Sequence, residues 1–66
     1  GDAKEAVVHL ERAYAIRADA EIAAHLGEVL WTLQRQGDAN RIFDEALKAH
    51  PDNKLLGDTV RRLRGQ

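Results

Sequence analysis

The fold turns on nine residues, Ala23-Ala24-His25-Leu26-Gly27-Glu28-Val29-Leu30-Trp31 ("AAHLGEVLW"). Around them lie good helix formers, with no proline and no cluster of turn residues. A glycine nevertheless stands in the middle, where it costs about 1 kcal/mol relative to alanine. In a chain of 66 residues that loss matters, because one small core leaves only a few kcal/mol of net stability. The glycine therefore points to a place where a helix comes too close to its neighbour for a side chain.

Outward from this stretch, glycine and proline divide the chain into four helical segments, and the pattern predicts an all-α fold. In the first, 3–16, Ala6, Leu10, Ala13 and Tyr14 follow one face of a 3.6-residue period. The second, 20–34, carries Ala23, Leu26, Gly27, Leu30 and Leu33 with Gln34, and Asp19 is placed to cap it. Arg35-Gln36-Gly37-Asp38 reads as a turn, with Asp38 as cap of the third segment. That segment, 39–50, repeats the apolar pattern in Ala39, Ile42, Phe43, Ala46 and Leu47. Pro51 ends it, since the residue before a proline is pushed out of the α region. The fourth, 53–64, has Leu56, Val60 and Leu63, then closes with Arg61, Arg62, Arg64 and a glycine, as helix C-termini favour.

The segments are not independent. Ala6-x3-Leu10-x2-Ala13 recurs 33 residues later as Ala39-x3-Phe43-x2-Ala46. The first and third helices are one element used twice, so the chain alternates two helix types.

These residues resemble the tetratricopeptide repeat, a helix–turn–helix unit of about 34 residues. Leu26-Gly27, Leu30, Ala39, Phe43, Ala46 and Pro51 stand at the family spacing within 20–53. The chain departs from the pattern at Ala23, where the family favours tryptophan, and at Gln34, where its turn often has glycine. The glycine comes three residues later, at Gly37, and predicts a longer or differently shaped turn. Residues 1–17 resemble the second helix of a preceding repeat, and 53–64 the helix that closes such arrays. Arg61 stands where the family's small residue would fall, so the array is expected to end here. The local wording ("HLGEVLW", "ALKAHPDN") is similar to the last repeats of bacterial repeat proteins, envelope-associated ones included. The resemblance thus implies an α-solenoid fragment of antiparallel helix pairs, from a longer chain in a bacterial cytoplasm or periplasm.

Composition narrows the function. Ten basic against eleven acidic residues give no overall pull toward nucleic acid or anionic membrane. The arginines near the C-terminus form one short basic cluster without interleaved aromatics, a poor nucleic-acid footprint. No apolar run approaches the roughly 20 residues of a membrane span. There is no cysteine, so disulfides are excluded and the commonest zinc ligands are missing. Glu21, His25 and Glu28 share a helix face, but no second Glu-x-x-His supplies matching ligands from a facing helix. HExxH, phosphate-cradling glycine loops and serine are all lacking. No catalytic residue, metal or cofactor is expected.

What remains is protein–protein interaction through the concave surface that helical repeats create. The resemblance places Glu21, Ala24, Glu28, Trp31 and Thr32 on that surface, with Asp52 and Asn53 near the following turn. An acidic groove with one indole suits a basic or aromatic–apolar protein segment. Trp31 remains open between this role and packing between helices. A second expectation is that the segment closes the array or self-associates. The flank of the first helix, with Val7, Leu10 and Tyr14, is expected to be partly uncovered and to permit homo-association.

Overall fold

Short acceptor side chains set three of the four helix starts. The computed structural model describes residues 2–65, which form α1 (Ala3–Ile16), α2 (Ala20–Thr32), α3 (Gln36–Ala49) and α4 (Lys54–Arg64), with no strand among them. Asp2 accepts from the Glu5 amide at 3.1 Å, Asp19 from Glu21 at 2.8 Å, and Asn53 from Leu56 at 2.9 Å. Each satisfies a first-turn amide that has no partner within its helix.

The exception is α3, and there the structure corrects the sequence reading. Its N-cap is Arg35, without a side-chain cap, and the helix starts at Gln36 rather than 39. Asp38 lies in the first turn instead of capping it and accepts from Arg35 Nε at 3.0 Å. An acid there still complements the helix dipole. Gly37 is helical, and a side chain at that position would meet nothing.

The chain turns at Gln34, whose φ of 63° is left-handed. The Gln34 amide donates to the Trp31 carbonyl and the Arg35 amide to that of Leu30, both at 2.9 Å. These are the two bonds of a Schellman ending, usually built on glycine. The turn is therefore made without a glycine, and α2 stops at Thr32. The left-handed conformation costs an L-residue about 1–2 kcal/mol, part of which glycine gives back through its freer unfolded state. Gln34→Gly is expected to stabilise the chain by about 0.5–1 kcal/mol, read as a higher urea midpoint at unchanged slope.

Helix α2 is central, packing against α1, α3 and α4, while α4 also rests on α3. Its composition explains this, because Ala20, Ala23, Ala24, Leu26, Gly27 and Leu30 are apolar or small on several sides and all buried. Ala39, Ile42, Phe43 and Ala46 come from α3, and Leu56, Thr59, Val60 and Leu63 from α4. The Phe43 ring is fully buried in the seat left by Gly27. The Arg64 guanidinium lies 5.7 Å from the ring centroid. It donates to Asn40 Oδ1 at 2.8 Å and Asp44 Oδ1 at 2.9 Å. The close approach inferred from the glycine is thus real, and a ring fills it.

The turn of α1 about its axis differs from expectation. Val7, expected on an uncovered flank, is only 3% exposed and belongs to the core. Leu10 and Tyr14 are half-buried against that core. Exposure falls instead on Val8, at 47%, and Ile16, at 82%. Alanine spacing marks one side of α1, but α2 covers its edge, where Val7 lies.

Side-chain contacts join residues about one repeat apart. Tyr14 Oη donates to Glu45 Oε1 at 3.2 Å, 31 positions on. His50 Nε2 donates to the Ala18 carbonyl at 2.9 Å, across 32 positions. The carbonyl can only accept, so that nitrogen carries the hydrogen. Burial, and then the Glu45 carboxylate, raise the Tyr14 pKa above its ordinary value. Burial of the phenol stabilises the fold fully below the unfolded value near 10, and is lost as pH climbs through the folded value. Tyr14 is the only tyrosine. Its tyrosinate absorbance should titrate above the ordinary midpoint and move down, but not fully back, in Glu45→Gln.

Candidate functional site

The outward face of α2 was expected to bind a partner, and the structure divides its residues into three groups. Glu21 is exposed, and so is Thr32, whose hydroxyl donates to the Glu28 carbonyl at 3.1 Å. Both stand on the surface as expected. Glu28 is there too, but its carboxylate is engaged: Arg62 donates to Oε2 at 2.7 Å. Trp31 is half-buried and packed against the core, the packing role of the two left open for it.

Two of the expected residues do other work. Ala24 is 3% exposed and lies in the core, because α2 is enclosed by three helices and a methyl group on it does not reach past them. It can serve only as floor. Asn53 caps α4, its Oδ1 holding the Leu56 amide, and is half-buried. Its neighbour Asp52 is exposed.

The Glu28–Arg62 pair spans 34 positions and joins α2 to α4 at corresponding places. The same step from Glu21 reaches Leu55, and from Ala24 it reaches Asp58. Leu55 is 46% exposed, one of three large apolar side chains so exposed among the described residues. Asp58 is exposed and lies 3.6 Å from Arg61. Sequence reading overlooked Leu55, Asp58 and Arg62, although the repeat period applied to α4 would have found them.

Charge on this face is therefore not the simple acidic groove expected. Glu28 is paired with Arg62 and Asp58 with Arg61, which leaves Glu21 as the carboxylate of this face without an ion-pair partner among the described residues, and the exposed Leu55 stands 34 positions from it. The basic C-terminal end is likewise occupied. Arg61 pairs with Asp58, Arg62 with Glu28 and Arg64 with Asp44. Such exposed pairs add little stability, but they leave no concentrated positive patch for phosphate.

Among the described residues no three or more His, Asp or Glu side chains converge to hold a metal ion. No helix among them is long and apolar enough to cross a membrane. A shallow depression runs along the outer side of α3, lined by Gly37, Asn40, Arg41, Asp44, Glu45 and Lys48. Asn40 and Asp44 at its edge already hold Arg64. Comparison with family models, curated proteins and solved structures finds no match to this chain.

Proposed function

We propose that the chain is a non-catalytic protein–protein interaction module of the tetratricopeptide-repeat kind, and that its α2–α4 face takes up a segment of a partner protein. The observation that carries this reading is the Glu28–Arg62 contact at 34 positions. Helices of one type side by side at one repeat length support the comparison made from Gly27, Ala39, Phe43 and Ala46. On this reading the exposed positions of α2 and α4 form two rows, as a surface for an extended or helical segment requires.

The partner chemistry follows from what those rows leave unpaired. Leu55 offers an apolar contact, the half-buried Trp31 an aromatic edge, and Glu21 negative charge, whereas Asp58 is already paired with Arg61. A segment with an apolar side chain beside a basic one matches that set.

A peptide library displayed on phage and selected on the immobilised chain tests this. Enriched peptides should carry lysine or arginine beside a large apolar residue. Leu55→Asp should weaken their binding about tenfold, or 1.4 kcal/mol, and Glu21→Lys should weaken it less, with the helical signal unchanged. Glu28 is the wrong residue to reverse, since a lysine there also breaks the contact with Arg62. If nothing enriches, or both substitutions leave capture intact, this face is not the binding surface.

A further inference from the structure

The repeat relation between α1 and α3 exposes a difference in burial. Ala39, Phe43 and Ala46 of α3 are fully buried, whereas their counterparts Ala6, Leu10 and Ala13 of α1 are only half-buried. Ile42 is buried as well, and the residue 33 positions before it, His9, is exposed. On α3 this side is covered by α2. On α1, whose other edge carries Val7 against α2, it is only partly covered. Ile16, the most exposed of the large apolar side chains, stands seven residues from His9, two turns along the same side. The strip Ala6, His9, Leu10, Ala13 and Ile16 is thus shaped to receive a helix. Its two alanines keep it low enough for axes to approach at about 8 Å.

We propose that this strip pairs with the same strip of a second copy of this chain, the two α1 helices running antiparallel about a two-fold axis. Charge selects the occupant. Glu5 directly precedes Ala6 and Arg12 directly precedes Ala13, so both lie along one edge of the strip, seven residues apart. Neither takes part in an ion pair among the described residues. When two such helices lie antiparallel, Ala6 faces Ala13 of the second copy, and Glu5 comes within reach of its Arg12. The symmetry makes the same contact twice. A parallel pair would instead bring the Glu5–Arg12 edge against the edge that α2 already occupies. The surface is self-complementary in shape and charge, as a two-fold interface must be. It is separate from the α2–α4 face, because the backbones of α1 and α4 do not approach closely, so either proposal can fail alone.

Sedimentation of the 66-residue chain over a wide concentration range, up to about 1 mM, tests the pairing. The wild-type mass should rise from monomer to dimer. Glu5→Arg and Arg12→Glu should each weaken association at least tenfold, since each sets like charges opposite one another. Both are exposed substitutions, and circular dichroism should show unchanged helicity. An equal mixture of the two variants should dimerise again, because arginines at 5 and 12 then meet glutamates at 12 and 5. The proposal is overturned by a wild-type chain that stays monomeric throughout, by association that survives both single variants, or by a mixture that fails to recover. In any of these cases the strip is not a seat for its own copy.

Discussion

Gly27→Leu is expected to lower the unfolding free energy by more than about 2 kcal/mol, the range of an overpacked core. A Cβ at position 27 would overlap the Phe43 ring at Cε1 and Cζ and lie 2.8 Å from Cδ1. The ring cannot yield cheaply. It is fully buried, and the Arg64 guanidinium over it is itself held by Asn40 and Asp44. Leucine adds three further carbons to the same place, so either α3 moves off α2 or the ring leaves its pocket. Helix propensity acts in the opposite direction, favouring leucine over glycine by somewhat less than 1 kcal/mol, and is too small to reverse the sign. Gly27→Ala should cost less, because one methyl group must be accommodated and about 1 kcal/mol of propensity is recovered. In a Phe43→Leu background the alanine should become nearly neutral, and this coupling shows that the two sites share one volume. Urea titration of the four chains supplies the cycle. A stabilising Gly27→Leu would refute the packing account outright.

How much of this was legible beforehand depends on whether the cause was local. Asp19 as a cap, the apolar stripes of α3 and α4, and the reason for Gly27 all follow from neighbours within a turn or from the 33-residue recurrence. The turn after α2 did not, because its left-handed residue is Gln34, a side chain that carries no turn signal of its own. Gly37 nearby drew the reading three residues too far. The rotation of α1 was hidden for another reason. Ala6, Leu10 and Ala13 announce the side that a companion helix wants, whereas the side actually covered depends on which companion is present. Exposure along α2 was half legible. Glu21 and Thr32 are on the surface, but Ala24 is enclosed because α2 touches three helices at once, and Glu28 is engaged by a residue 34 positions away. Pairing of that kind is read from the period, not from the local pattern.

Phe43→Ala should be the most damaging substitution in the chain. Removing a buried phenylalanine costs about 3–5 kcal/mol, the transfer of the ring plus the cavity left behind. A domain of this length has about 3–10 kcal/mol in total, so the variant should lose most of its cooperative unfolding transition. The site is poorly able to collapse. Gly27 has no side chain to move in, and Arg64 loses the ring beneath its guanidinium without gaining another contact. Leu10→Ala is the informative comparison, since Leu10 stands at the same place one repeat earlier but is only half-buried. Its cost should stay near 1–2.5 kcal/mol, about half the value for truncating a fully buried leucine, when measured at dilution. The contrast tests the account of α1 as well as that of α3. At concentrations where α1 pairs with a second copy, Leu10 enters an interface, and its alanine variant should lose association as well as stability. Equal costs for Phe43→Ala and Leu10→Ala in dilute solution would mean that the strip on α1 is already covered within the monomer.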